Sequence, residues 1–451
     1  MQLTLTTQQV EALAPDRASI GKAKKLAEAV HWRILGRSER ALWGQCRGST
    51  VYDVQVDLSD LQSRCTCPSR KRPCKHVLGL LILAAQTPMA VAPASEPEAV
   101  ADWLGRRAAA AAAKATKREA KAAGKKPVDP EAQAKRAERR AERVGDGLEQ
   151  LDRWLRDLVR VGLATVEDSS PGIFEEQARR LVDAQASGLA GWIRRLGAIP
   201  LSGPDWPDRL LRQLGRVALL IRAFRRLDAL PPELQLELRA ILGWSVPKEQ
   251  VLAEGERVAD RWQVVAQELS EEDRLRTQRS WLIGQDTGER ALVLQFAYGA
   301  QAIFDERLLL GSEFEAELAF YPGAARQRAL IVRRDGVASS IARLAGARPI
   351  AALLDEVSRA VARQPWLERF GAVLRDVSAV QGADGRLRLV DAAGDHVAVT
   401  SADPYLLLAI SGGEAIDVAG EWDGDAFYPF LTADGDRFYL LQPSLLAPPP
   451  S

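Results

Sequence analysis

The sequence predicts an α+β multidomain protein in four parts. These are a small metal-held ββα unit, a basic helical linker, an α-helical middle region and a mixed, strand-rich C-terminal region. Three observations predict it. One short cluster holds three of the four cysteines and one of the three histidines. A tract of Ala, Lys and Arg separates that cluster from all that follows. Beyond the tract, leucines at helical spacing give way to alternating runs with Asp-Gly turns. The length of 451 residues exceeds what one core usually serves, and 47% hydrophobic with 27% charged residues is a globular balance.

Residues 1–88 read as the ββα unit. "TQQVEALA" has a helical pattern, and "ALWGQCRGS" and "VYDVQVDL" read as strands. In the second strand Tyr52, Val54, Val56 and Leu58 share one face, with Asp53, Gln55 and Asp57 on the other. The cysteine cluster follows, then "VLGLLILAAQ" as a buried helix, ended by a proline-containing loop. Residues 89–146 form the linker. Between 104 and 144 it carries 13 basic against 5 acidic side chains, with high helix propensity and no apolar stripe to pack. Arg107, Lys114, Arg118, Lys121 and Lys125 fall on one cationic stripe, which reads either as a phosphate track or as a solvated spacer. Residues 147–275 are expected to be helical, led by Leu148, Leu151, Leu155 and Leu158 with Trp154. Residues 276–451 are expected to be strands around one helical interlude, "PIAALLDEVSRAVARQPWLERF". Asp384–Gly385, Asp423–Gly424 and Asp434–Gly435 mark hairpin turns rather than calcium loops.

The cluster "CTCPSRKRPCKH" places Cys65, Cys67, Cys74 and His76 in the pattern C-x-C-x6-C-x-H. Zinc takes four N/S ligands in a tetrahedron, and structural sites commonly use three Cys with one His. With four ligands filled, no position is left for water, so the expected Zn2+ is structural. Reduced thiols of this kind point to metal rather than disulfides. Cys46 shares a strand face with Leu42 and Gly44 and reads as a small buried hydrophobe. His31 and His396 lie far off in sequence.

The ligand spacing and the strands and helix around it resemble the SWIM zinc finger. The chain as a whole is similar to bacterial SWIM zinc finger proteins, through the basic Ala-rich linker and stretches such as "LDRWLRDLVRVGLA" and "EAELAFYPGA". The resemblance implies DNA binding or protein–protein interaction. It also implies a partner among MoxR-type AAA+ ATPases or proteins with von Willebrand factor A domains, which tend to be encoded beside such proteins.

Charge sharpens both options. Residues 1–144 carry 26 basic against 15 acidic side chains, a net of +11, and the remainder carries 35 against 45, a net of −10. Arg64, Arg70, Lys71, Arg72 and Lys75 crowd the finger, and no carboxylate lies between Leu61 and Gln86. They serve either as a surface for nucleic acid or an acidic protein, or as an offset to the thiolate charge. The motifs of P-loop, zincin, serine hydrolase and dinucleotide enzymes are all missing, and three histidines leave little for general-base work. A non-enzymatic protein is expected. "MQLTLTTQQV" lacks the pattern of a signal peptide and "VLGLLILAA" is too short to span a bilayer, so the expected compartment is the cytoplasm.

Overall fold

The computed structural model describes residues 5–123, 130–163, 166, 172–200, 202–203, 205–272, 275–299, 304, 306–401, 403–434 and 437–441. It is an α+β multidomain arrangement with three sheets.

The N-terminal unit opens with α1 (Thr7–Ala12), held by a capping box between Thr6 and Gln9. Next comes α2 (Arg17–Lys24), capped by the Asp16 side chain. Four antiparallel strands follow in sequential order: β1 (Trp32–Arg37), β2 (Ala41–Arg47), β3 (Val51–Asp57) and β4 (Ser63–Cys65). The sheet therefore has two more strands than the expected pair. Helix α3 (Lys75–Gln86) covers one face, where Val77, Leu78, Leu81 and Ile82 pack with Leu42, Val54 and Val56. The other face is covered too. The first turns of α4 (Glu98–Ala123) place Val100 and Leu104, four residues apart, against Ala41 and Trp43. Arg107 then pairs with Asp57 at 3.0 Å and Asp60 at 2.5 Å. The start of the expected linker is thus part of the finger unit. Of its cationic stripe, the Lys114, Arg118 and Lys121 side chains, and Lys125 altogether, lie outside the described residues.

Helix α5 (Pro130–Val161) runs unbroken through the expected boundary at 146. Its buried stripe begins at Val144 and continues through Leu148, Leu151, Leu155 and Leu158, a helical period that does not respect the change in composition. With α6 (Gly172–Asp183), α7 (Ser187–Leu196), α8 (Trp206–Phe224) and α9 (Pro232–Leu242) it shares one core around Phe174, Ile193, Leu214 and Leu220. At Gly188 an added Cβ would stand 2.3 Å from the Ile241 carbonyl, so only glycine lets α7 approach α9 this closely.

Helix α10 (Lys248–Glu254) ends the helical region. Strand β5 (Arg257–Glu272) begins well before residue 276, so the helical expectation fails over its length. The reason is pairing. Val258, Val264 and Val265 are β-branched, and the strand is hydrogen-bonded to a neighbour on each side. Those neighbours belong to a closed barrel with β6 (Leu275–Gly284), β7 (Arg290–Tyr298), β8 (Ser312–Phe320) and β9 (Arg328–Ser340), in the order β5-β6-β7-β9-β8. Only β7 and β9 run parallel. A five-stranded Greek key closed in this way has the OB-type topology. Trp262, Leu282, Phe314 and Phe320 fill it, and Trp262 Nε1 donates to the Ala316 carbonyl at 3.1 Å.

Helix α11 (Ile350–Arg363) leads into a six-stranded antiparallel sheet. Its members in chain order are β10 (Phe370–Gln381), β11 (Leu387–Val390), β12 (His396–Ala398), β13 (Ile416–Trp422), β14 (Phe427–Asp434) and β15 (Arg437–Leu440). Helix α12 (Pro404–Ser411) lies between β12 and β13. The spatial order is β12-β11-β10-β13-β14-β15. Gly385 and Gly424 take positive φ in the β10–β11 and β13–β14 turns, while Gly435 lies outside the described residues. "ISGGEA" closes α12 with a left-handed Gly412.

Two sets of hydrogen bonds join the barrel to its neighbours. Trp281 Nε1 and Arg279 Nε each donate to Glu421 Oε1 of β13 at 2.8 Å, joining the barrel to the C-terminal sheet. Gln9 Nε2 donates to the Gly311 carbonyl at 2.7 Å, and Arg307 donates to the Leu61 carbonyl at 2.8 Å, joining the finger unit to the barrel. Among the described residues no helix is long and apolar enough to cross a membrane.

Candidate metal centre

Three pieces of backbone place the four ligands of the cluster. Cys65 ends β4, where it pairs with Val54 in the sheet. Cys67 follows on a knuckle clamped to β3, since Thr66 N donates to the Asp53 carbonyl at 3.1 Å and Asp53 N donates to Thr66 Oγ1 at 2.9 Å. Cys74 is the N-cap of α3 and His76 sits in its first turn. The four ligand atoms lie within 4.8 Å of one another. Nδ1 of His76 is 3.8 Å from Cys65 Sγ and 3.9 Å from Cys74 Sγ. A tetrahedral zinc with ordinary Zn–S and Zn–N bonds separates sulfur from nitrogen by roughly 3.6 Å. The donor set and its spacing fit zinc.

Burial and charge agree with a cation. Cys74 and His76 are buried, and Cys65 and Cys67 are half-buried. The Tyr52 ring lies 4.8 Å from the His76 ring and shields it. The Cys74 thiol is held well below its usual range by the hydrogen bond from Cys65, against the effect of burial. The Cys65 thiol is pushed up by that same pairing and by burial, and Cys67 is pushed up chiefly by burial. Without a metal the site therefore resists carrying three thiolates, and a divalent cation removes that resistance. When bound, zinc would supply a structural cross-link between β4, the knuckle and α3. Cys65, Cys67, Cys74 and His76 would hold it.

The comparisons place the same residues in a known module. A family model for the SWIM zinc finger matches residues 52–85. A second, for the SWIM-associated four-helix bundle domain, matches residues 139–242. The chain therefore carries a SWIM zinc finger and a SWIM-associated bundle domain. No curated protein and no solved structure matches the chain. The bundle match starts inside α5, in keeping with the apolar stripe that begins at Val144.

Around the SWIM finger the five cations expected to form one surface are divided. Arg64 pairs with Gln55, which pairs with Trp43, so it stands on the sheet face that α4 covers rather than on the metal side. Lys71 is engaged by Asp16 at 2.5 Å, which holds the Asp16 carboxyl down to about 2. Arg70, Arg72 and Lys75 are exposed and make no salt bridge among the described residues. Cys46 is fully buried in the sheet core, and His31 and His396 lie outside the cluster. Sequence reasoning put Tyr52 on the apolar face without its role beside His76. Its position two residues before Val54, on that same face, was the available signal.

Proposed function

We propose that this chain is a zinc-stabilised, non-catalytic interaction protein whose finger loop binds a protein partner. The observation that supports the reading is the set of Arg70, Arg72 and Lys75, exposed and free of ion pairs among the described residues. Arg70 and Arg72 stand on a loop between the two pairs of candidate ligands and Lys75 opens α3, so little conformational freedom is lost when they meet an acidic surface. Three free cations give a small footprint on DNA, with a salt slope of about −2.7. That favours an acidic protein surface over a duplex. The family resemblance makes a MoxR-type AAA+ ATPase or a von Willebrand factor A protein the first partner to test. DNA binding through the loop and the basic linker is the second reading, supported by the net +11 of residues 1–144.

Fluorescence anisotropy with a purified candidate partner and with a labelled 20-bp duplex, at 50 and 200 mM salt, separates them. The triple variant Arg70→Glu, Arg72→Glu, Lys75→Glu should weaken partner binding about tenfold or more. Its zinc content should stay the same. Duplex binding that is steep in salt and abolished by the triple variant would put the DNA reading first. Partner binding untouched by the triple variant would remove the loop as the contact.

A further inference from the structure

A half-open cleft of about 470 Å³ lies between the barrel and the helical bundle, a volume in the range of small-ligand sites. One wall is the outer face of β5, β6 and β7, and strand register fixes its rows. Glu268, Arg279 and Leu294 stand side by side, followed by Ser270, Thr277 and Phe296. The opposite wall comes from Trp192 of α7 and from Trp366 and Glu368 ahead of β10. Beyond the cleft the surface runs on to Leu275 and its cross-strand partner Tyr298, 40% and 70% exposed. Leu294, Phe296 and Tyr298 alternate along β7 and form a track of about 13 Å, long enough for an elongated ligand. In OB-type barrels this face, around the second and third strands, receives oligonucleotides or oligosaccharides.

Charge decides between them. A nucleic-acid strand needs a positive groove along its phosphates. The barrel, residues 257–340, carries 11 basic against 13 acidic side chains. The three arginines that line the cleft are already matched. Arg195 pairs with Glu368 at 3.0 Å. Arg279 is bound to Glu268 and Glu421, and Arg369 lies beside Glu421 and Asp423. A phosphate chain would have to break these pairs. A hydroxyl both donates and accepts, so a sugar bonds an arginine and its carboxylate together and leaves the pair intact.

The other polar groups fit the same ligand. The Ser270 and Thr277 side chains, next to one another in register, make no hydrogen bond among the described residues. Gln327, on the β8–β9 loop, lines the cleft with its Nε2 buried and unpartnered among the described residues. A buried donor of this kind is costly until an acceptor meets it. Beside the two hydroxyls the Phe296 residue is 54% exposed. The C–H face of a sugar ring is slightly positive and packs on the negative face of an aromatic ring. An apolar peptide, by contrast, would desolvate these hydroxyls and ion pairs without returning a hydrogen bond.

We propose that this cleft binds a neutral oligosaccharide. Its rings stack on Phe296 and Tyr298, and its hydroxyls bond Ser270, Thr277 and the Arg195–Glu368 pair. The site stands apart from the finger and does not rest on the partner proposed for it.

Isothermal titration calorimetry of the full chain with maltohexaose, cellohexaose and chitohexaose tests it. At least one of these should bind saturably at one site per chain, equally at 50 and 200 mM salt. The double variant Phe296→Ala, Tyr298→Ala should weaken that binding about tenfold or more, and Thr277→Val roughly fivefold. Both aromatic residues are more than half exposed, so zinc content and far-UV circular dichroism should not change. If none of the three sugars binds, or if the double variant binds as wild type does, the proposal falls. A labelled dT20 that binds in their place, and is lost with the double variant, also overturns it. That result would give the face to single-stranded nucleic acid.

Discussion

The finger and the barrel reach order by different routes. In the finger a three-residue strand, β4, is followed by a knuckle and loop with no regular structure up to α3. What organises that stretch is the convergence of four side chains on one point. In the barrel every strand is hydrogen-bonded on both sides, and Trp262 is fully buried inside it. One region is held by ligand chemistry, the other by backbone pairing and packing. The first kind of order is concentrated in a few residues of marked type, and the second is spread over strands far apart in sequence.

The largest effect that could break this contrast is loss of a ligand. Cys74→Ser should drop zinc from about one equivalent to less than half and remove hydrogen-exchange protection across residues 52–86. Protection in β5 to β9 should persist. If the barrel lost protection as well, the Gln9 and Arg307 contacts would have fused the two regions into one cooperative unit.

The reciprocal change is Trp281→Ala. This ring is fully buried between the barrel and β10, where a Cβ on Gly371 would stand 2.5 Å from it, and its Nε1 serves Glu421. Its removal should cost about 3–5 kcal/mol in urea unfolding of the C-terminal half. Zinc content should not change, and a fall in zinc would again contradict the separation.

A smaller effect sharpens the comparison through pH. Glu237 of α9 accepts hydrogen bonds from the backbone N–H groups of Ala324 and Ala325, and from Gln364 Nε2 at 2.9 Å. It thereby ties the β8–β9 loop and the end of α11 to the bundle. Burial pushes its carboxyl up to about 7, against those hydrogen bonds. Between its unfolded value of 4.5 and 7 the folded state keeps a proton that the unfolded state releases. Its contribution to stability is therefore complete below 4.5 and is lost as pH rises through 7. Glu237→Gln should match wild type near pH 5 and exceed it by about 1 kcal/mol at pH 8. A pH-independent difference would argue against a buried carboxyl there. None of these three changes touches Arg70, Arg72 or Lys75.

Legibility in the sequence followed the same divide. The cluster, the face of β3 that carries Val54 and Val56, the burial of Cys46 and the stripe from Leu148 to Leu158 could be read from local spacing. The turns at Asp384–Gly385 and Asp423–Gly424 could too, because each is decided within a few residues. The placement of Arg64 was missed: alternation along β4 sends it to the side opposite Cys65, and β4 is too short to show a pattern. Strand β5 was read as helix because "KEQVLAEGERVADRWQVVAQEL" carries apolar residues at spacings that satisfy both periods. Strands β6 and β8 decide between them, and β8 lies some fifty residues away.

By itself, then, the sequence determined a Cys3His site, an N-terminal sheet with a buried helix, and a helical core ahead of a strand-rich end. Spacing and residue type carry that information, since metal coordination and amphipathic periods are local constraints. The tertiary structure decided the closed barrel, the merging of the linker's start into the finger unit, the split among the five cations and the cleft beside β7. Those depend on which distant surfaces meet, and strand closure and helix docking are settled only when segments remote in sequence compete to bury the same faces.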